Sequence, residues 1–223
     1  MDLCWLKAAD ISLFCKAVRR KGTPLRDVWG FIDGTFRPCY RQKVDQKTIY
    51  SGHYRLHGLK FQPVMAPNGL VVNLDGPWPG RRQDSGMLAE SGLLVLLKNK
   101  MAETGNICRL YGYPVYPISE YLEAPFRAGA AELTQEEKEF NEAMSGVRMN
   151  VEWGSGEVVQ QFAFLDYSKN LEVLWQPVGT LYTVGTHSTN CIVCLGHAEQ
   201  IHLKFIPLQL NTLTKSRKSA VQT

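Results

Sequence analysis

The sequence of 223 residues has no apolar run long enough to cross a membrane. A transmembrane helix needs about 18 or more apolar residues in succession, whereas the longest candidate, at residues 93–97, is far shorter. Residues 1–7 also lack the basic segment and apolar core of a secretory signal. We therefore expect an intracellular protein, nuclear or cytoplasmic, without a membrane partner.

Cysteine is sparse, and neither sign of charge dominates. The six cysteines are scattered along the chain, which is typical of free thiols in a reducing compartment rather than of a disulfide framework. The net charge of +4 is compatible with nucleic-acid binding but does not require it. There is no internal repeat or low-complexity segment, and a hydrophobic content of 44% is enough for one sizeable core.

Hydrophobic periodicity predicts a mixed α/β domain. Strands are predicted over residues 28–32, 49–62, 70–74 and 108–112, with the second and third forming a hairpin through an Asn-Gly turn at 68–69. Helices are predicted over residues 8–20, 85–98 and 171–189. A further helix is predicted to begin at a capping box formed by Thr134 and Glu137. We also expect residues 76–80 to break the sheet and residues 122–131 to form a loop.

The first buried strand ends at Asp33, which glycine follows directly. A buried carboxylate is costly unless hydrogen bonds or a metal ion compensate it. Asp-Gly is also common turn chemistry. The local pattern alone leaves both interpretations open.

Several motifs occur in a fixed order around Asp33. They are Gly-Phe-Ile-Asp-Gly-Thr at 30–35, Tyr-Ser-Gly-His at 50–53 with His-Gly-Leu-Lys-Phe-Gln at 57–62, Gly-Arg-Arg-Gln-Asp-Ser-Gly-Met-Leu at 80–88, Leu-Tyr-Gly at 110–112 with Tyr-Pro at 116–117, and Phe-Asn-Glu-Ala-Met at 140–144 with Arg-Met-Asn-Val-Glu at 148–152. In this order and spacing the chain resembles the Harbinger-type DDE transposases and their domesticated nuclease-like relatives over residues 29–174. The match rests on the whole series, since any single motif is weak.

The resemblance implies an RNase H-like fold, a mixed β-sheet flanked by helices. It also implies three carboxylates around two Mg²⁺ or Mn²⁺ ions, which cleave DNA phosphodiesters and transfer strands. Hard divalent cations prefer oxygen ligands, so the chemistry uses Asp and Glu. By the family pattern, Asp33 would bridge the metals and Glu152 would complete the site.

One catalytic carboxylate of the family pattern is replaced here by Tyr113. A phenol titrates near pH 10 and is a poor ligand for Mg²⁺, so the resemblance implies impaired cleavage. Asp84, in the family's Gly-Arg-x-x-Asp motif, is a further candidate catalytic residue and metal ligand, with an N-cap of the following helix as its alternative role. Asp75 is a weaker candidate of the same kind. The alternative function is a catalytically inactive domesticated domain that binds DNA or protein, and a third reading is a generic α/β domain in which Asp33 only makes a turn.

Further residues are candidate nucleic-acid contacts. They are Arg81, Arg82, Arg148, His53 and His57, the two histidines being expected on one face of the second strand. Solvated surface positions are the alternative. Cys191 and Cys194 with His197 and His202 imitate a zinc quartet, for which buried thiols are the preferred interpretation.

The resemblance also divides the chain. Residues 1–26 form a short N-terminal helical segment, shorter than the region that precedes the catalytic domain in such transposases. By this resemblance we expect residues 27–190 to form the DDE nuclease-like domain and residues 191–223 to form a C-terminal extension with a basic, disordered tail. The short N-terminal segment leads us to expect a fragment of a longer transposase or a separate DNA-binding partner protein.

Overall fold

The computed structural model describes Leu3 and residues 6–41, 46–129, 132–166, 171–173 and 175–195, with the backbone alone for residues 149–155 and 157. No helix in these ranges is both long and apolar enough to span a membrane. The predicted basic tail lies outside the described residues, as do His197 and His202.

One mixed sheet organises the fold. Its strands are β1 Val28–Ile32, β2 Thr35–Pro38, β3 Tyr50–Ser51, β4 Leu56–Met65, β5 Val71–Pro79, β6 Arg109–Tyr111 and β7 Leu122–Glu123. The long strand β4 pairs antiparallel with β5 along one edge and with β1 and β2 in succession along the other. On the far side of β1, strands β6 and β7 add in parallel. Strand β1 therefore lies at the centre, between antiparallel and parallel halves.

Helices cover both faces of this sheet. They are α1 Ala8–Arg20, α2 Gln46–Ile49, α3 Asp84–Glu90, α4 Leu93–Thr104, α5 Gln135–Gln161 and α6 Val178–Cys194, with a 3-10 helix at Ala163–Leu165. One core cluster joins Phe31 and Phe61 to α5 and α6, and the other joins Trp29 and Val64 to α1, α3 and α4. Buried apolar area is the main stabilising term on both sides. The predicted mixed sheet flanked by helices is confirmed.

Several predicted elements are confirmed where the local signal was strong. Helix α1 has the predicted bounds, and the hairpin of β4 and β5 turns at Gly69, whose φ of 85° suits glycine. The Thr134 hydroxyl accepts a hydrogen bond from the Glu137 backbone N–H, and the Glu137 carboxylate accepts one from the Thr134 N–H, which completes the capping box. Met144 and Val147 of this helix are buried.

Three strand predictions were wrong. The strand predicted over 49–62 is two strands, β3 and β4, joined by a turn at residues 52–55. Residues 76–80 do not break the sheet, because β5 continues to Pro79 opposite Leu59. Among the described strands β5 pairs only with β4, so its prolines lie on an edge where a missing N–H is tolerated. Residues 122–131 are not all loop, since the first two form β7.

Two helix predictions were wrong in their bounds, and the structure gives the end of the helix that the capping box begins. The helix predicted over 85–98 is two helices, α3 and α4, separated at Gly92, whose φ is 69°. Helix α5 runs through Gly154 to Gln161, where Val158 is buried against the core. The last described helix, α6, spans Val178–Cys194 rather than 171–189 and begins directly after Pro177, a residue suited to helix starts.

Candidate active site

Asp33 is the first residue beyond β1, at the edge where the central strand leaves the core. Ile32 before it is fully buried. The Asp33 backbone N–H donates to the Pro63 carbonyl at 3.3 Å, which extends the pairing with β4 by one residue. Its side-chain Oδ1 accepts a hydrogen bond of 2.7 Å from the Gly34 N–H. The carboxylate is therefore held by backbone at the end of the sheet.

The Asp84 carboxylate lies beside Asp33. A Cβ added to Gly34 would stand 2.7 Å from three atoms of the Asp84 carboxyl group, so the two acids flank one glycine. Asp84 Oδ1 also accepts a 2.7 Å bond from Lys60 Nζ, and the side chains of Lys60 and Asp84 are 12% and 22% exposed. The alternative role of Asp84 as an N-cap was wrong, because Gln83 occupies that position and Asp84 is the first helical residue.

A buried polar network holds the backbone of Asp84 in place. The fully buried Gln62 side chain donates to the backbone carbonyl of Asp84 at 3.1 Å and to the Tyr116 hydroxyl at 3.0 Å. Burial raises the pKa of Tyr116 well above its usual range, and the charges of Asp84 and Asp33 raise it further. Tyr116 is therefore a neutral phenol at physiological pH.

Sequence reasoning did not assign roles to Lys60, Gln62 or Tyr116. Lys60 and Gln62 occupy alternate positions of β4 and therefore point to the same face of the sheet. Polar residues with this spacing inside an otherwise apolar strand were the available signal. Nothing in the local pattern identified Asp84, 24 residues away, as the partner of Lys60.

Tyr113 stands at the same end of the sheet as Asp33. The parallel register pairs Phe31 with Tyr111, and a Cβ at Gly112 would stand 2.9 Å from Cγ2 of Ile32, so Tyr113 follows β6 at the end of the sheet where Asp33 follows β1. Helix α5 brings the Arg148 guanidinium to 3.5 Å from the centre of the Tyr113 ring, a cation–π contact. An aromatic ring and a cation thus occupy the place where the family pattern has its second carboxylate.

Glu152 lies in α5, one helical turn beyond Arg148 along the same side of the helix. Its side chain lies outside the described residues. Within the described part of the chain, no three His, Cys, Asp or Glu side chains are grouped so that they could hold a metal. Asp33 and Asp84 offer suitable oxygen ligands, but Lys60 already binds one Asp84 oxygen. The described donors fit one hard cation in part and do not form a complete two-metal site.

The arginine candidates have separate environments. Arg81 is exposed. Arg82 forms an ion pair with Glu90 and lies 5.9 Å from the centre of the Trp78 ring. The Arg82 side chain remains 39% exposed, whereas the Arg148 guanidinium packs on the Tyr113 ring.

The histidine prediction was wrong in its geometry. His53 lies in the turn between β3 and β4, and His57 lies on β4, so they do not share a face of one strand. The His53 ring packs against Tyr54 and the His57 ring against Tyr50.

Asp75 and the two cysteines complete the set of candidates; Asp75 lies opposite Gln62 in the pairing of β4 and β5. The Asp75 carboxylate accepts a hydrogen bond from the Trp78 indole N–H. Cys191 and Cys194 are exposed near the end of α6, so the interpretation as buried thiols was wrong.

Comparison with known proteins identifies the family of the chain. The family model described as DDE superfamily endonuclease matches residues 32–184, more than half of the chain. No match was found among curated proteins or among solved structures. The matched region begins at the end of β1 and includes Asp33, Asp84, Tyr113 and Glu152. The chain therefore belongs to the DDE superfamily endonucleases.

Proposed function

We propose that this chain is a Harbinger-type, transposase-derived nuclease domain with an RNase H-like fold and impaired cleavage of DNA phosphodiesters. The observation that carries the proposal is that Asp33, Asp84 and Tyr113 all lie at one end of a mixed sheet flanked by helices. The ordered motifs that surround these residues support the Harbinger assignment.

Asp33 and Glu152 are the proposed ligands of a Mg²⁺ or Mn²⁺ ion, with Asp84 as a third candidate. When bound, such an ion would polarise a phosphoryl oxygen as a Lewis acid. The protein's own contribution is orientation: the Gly34 N–H holds Oδ1 of Asp33, and the Lys60 ammonium neutralises and fixes Asp84.

The proposed impairment follows from Tyr113 and Arg148. A two-metal clamp requires an anionic ligand at position 113, where this chain has a phenol. The Arg148 cation over that ring adds a positive charge, which opposes binding of a second metal ion there. The same pair favours the alternative function, an inactive domesticated domain that binds DNA or protein, with a separate partner supplying DNA targeting.

The test restores the missing carboxylate. Tyr113→Asp and the matched neutral variant Tyr113→Asn are incubated with end-labelled duplex DNA and Mn²⁺, beside the parent chain. We expect cleavage by Tyr113→Asp alone. Equal cleavage by the parent would refute the impairment, and no cleavage by any of the three would favour the alternative function.

Metal binding is tested separately by thermal unfolding. We expect Mn²⁺ to raise the melting temperature of the parent chain, because a ligand that binds only the folded state stabilises it. Asp33→Asn should remove this shift. If Mn²⁺ leaves the melting temperature of both the parent and Tyr113→Asp unchanged, the assignment of Asp33 and Glu152 as ligands is wrong.

A further inference from the structure

An aromatic cluster lies beside the carboxylates, at the turn between β3 and β4. We call it the hairpin aromatic cluster, and its members are Phe36, Tyr50, His53, Tyr54 and His57. The rings of Phe36 and Tyr54 are stacked, with centroids 4.5 Å apart and planes inclined by 9°. His53 stands perpendicular to Tyr54 at 4.8 Å, and His57 lies 5.2 Å from Tyr50. The cluster is therefore an ordered set of rings.

Close packing beneath Phe36 explains why the stack is held in place. A Cβ at Gly58 would stand 2.4 Å from the Phe36 ring, and one at Gly80 would stand 3.0 Å from it. Only glycine allows the ring edge to lie this close to the backbone. Tyr54 then packs on Phe36, and Arg55 after it has a φ of 54°, a strained conformation that persists only where its surroundings fix it.

Three of the five rings of the cluster are exposed, and Phe36 and His57 are half-buried. Tyr54 and Tyr50 are 43% and 40% exposed, and His53 is also exposed. Buried aromatic rings pack in a hydrophobic core, whereas ordered rings at an exposed hairpin tip can stack on a ligand through their π-faces. Every nucleic-acid base has such a face.

The segments that carry the cluster are rich in cations. Residues 34–41 and 46–60 contain no Asp or Glu, while Asp45 stands between these ranges in the sequence and Asp33 and Asp84 act on Tyr54 from the side of the candidate active site. The exposed cations around the cluster are Arg41, Lys47, Arg55 and Arg81. Arg81 belongs to this group because a Cβ at the preceding Gly80 would stand within 2.6 Å of the carbonyl oxygens of Ile49 and Gly58. Aromatic rings interspersed with cations can bind a nucleic-acid strand, because the rings stack on its bases and the cations contact its phosphates.

The cluster adjoins the candidate active site. Burial raises the pKa of Tyr54, and the charges of Asp84 and Asp33 raise it further, so the phenol lies within the electrostatic reach of both acids. Lys60, which binds Asp84, pairs across the sheet with Phe36. A nucleic-acid strand bound to the rings would therefore pass beside the carboxylates of Asp33 and Asp84.

We propose that the hairpin aromatic cluster binds unpaired bases of single-stranded DNA next to the candidate active site. In a duplex the base faces are already stacked on one another, so the cations alone could contact it. The inference rests on the proposed function only in naming DNA as the ligand.

Binding is measured by fluorescence anisotropy with the full chain in EDTA, so that neither metal binding nor cleavage contributes. The probe is a labelled oligothymidylate about 15 nucleotides long, a length within one or two binding sites. A duplex and an oligouridylate of the same length are the comparison ligands. We expect the oligothymidylate to bind most tightly, with a salt slope of about −3 for four phosphate contacts.

Tyr54→Leu removes the exposed ring and should weaken oligothymidylate binding about tenfold. Tyr54→Phe keeps the ring and should remain within about twofold of the parent. Phe164→Leu is the matched control, because Phe164 is 54% exposed on the 3-10 helix away from the cluster, and it should have no effect. If Tyr54→Leu unfolds, Tyr50→Leu provides the same comparison.

Three results would overturn the inference. Equal losses for single strand and duplex, or no loss in Tyr54→Leu or Tyr50→Leu, would show that the rings do not bind bases. Tighter binding of oligouridylate would refute DNA as the ligand. Failure of the proposed function would be seen differently. The melting temperature would not respond to Mn²⁺ and no variant would cleave DNA, but the chain in EDTA would still bind oligothymidylate more tightly than duplex, and this preference would depend on Tyr54.

Discussion

Replacing Lys60 by methionine removes the cation that pairs with Asp84 while keeping a side chain of similar length. The ion pair joins β4 to the first turn of α3 immediately beside Asp33. We expect Lys60→Met to lower the free energy of unfolding and to leave two neighbouring carboxylates without their cation.

The magnitude follows from geometry and burial. The Nζ–Oδ1 distance is 2.7 Å, and the two side chains are 12% and 22% exposed. Breaking a fully buried pair costs about 3–5 kcal/mol, and an exposed pair contributes about 0–1 kcal/mol. Partial exposure places the expected loss between these limits, at about 2–3 kcal/mol.

Urea unfolding of a double-mutant cycle measures the interaction itself. The cycle uses Lys60→Met, Asp84→Asn and the double variant, and we expect a coupling energy of about 2 kcal/mol. The pair of Lys100 and Glu103 is the matched control, with the same 2.7 Å separation but a 66% exposed carboxylate. Its coupling should be at most about 1 kcal/mol.

Mn²⁺ provides an independent readout of the same variant. If a divalent cation can take the place of the ammonium group beside Asp33 and Asp84, Mn²⁺ should raise the melting temperature of Lys60→Met more than that of the parent. A coupling energy below about 0.5 kcal/mol, no larger than the control, would refute the argument that Lys60 fixes Asp84.

Three other substitutions test the fold around the site. Burial raises the pKa of Tyr111 to about 12. Because the phenol of the unfolded chain ionises first, the contribution of Tyr111 to stability is complete below pH 10 and is lost as pH rises towards 12. Urea unfolding at pH 7 and pH 11 should therefore show this loss of stability in the parent and not in Tyr111→Phe. Its hydroxyl has no hydrogen-bond partner in the described structure, so the same variant should be up to about 1 kcal/mol more stable at pH 7, and a clear destabilisation would contradict this. Gly34→Ala places a Cβ 2.7 Å from the Asp84 carboxylate, whereas a Cβ at Gly52 meets nothing within 4 Å. Gly34→Ala should lower the free energy of unfolding by about 1–3 kcal/mol, and Gly52→Ala by less than about 0.5 kcal/mol. Equal losses would refute the packing argument. Thr134→Ala removes the cap of α5 and should cost about 1 kcal/mol by urea unfolding, whereas no change would show that the capping box contributes nothing.

Local signals predicted elements that depend on neighbours in sequence. Helix α1 and the capping box of α5 follow from periodicity and from hydrogen bonds between residues three or four apart. The break at Gly92 was missed because apolar residues continue on both sides of it. The two-residue strand β7 was missed because periodicity needs a longer segment.

The candidate site shows the same division. The position of Asp33 at the end of a buried strand and the substitution at Tyr113 could be read from the motifs, and the family match includes both. The ligand role of Glu152 stays a prediction. The placement of His53 on a strand was wrong, because the hairpin turn is set by pairing between β3 and β4.

The sequence by itself determined the family, the mixed α/β class and the acid that ends the central strand, because each is encoded in neighbouring residues or ordered motifs. Only the tertiary structure decided that Asp84 binds Lys60 and that Arg148 covers Tyr113. The two residues of the first pair are 24 positions apart in the sequence, and those of the second pair are 35 positions apart. Such contacts form when separate elements pack, and the free energy that selects them comes from burial of the whole core rather than from any local pattern.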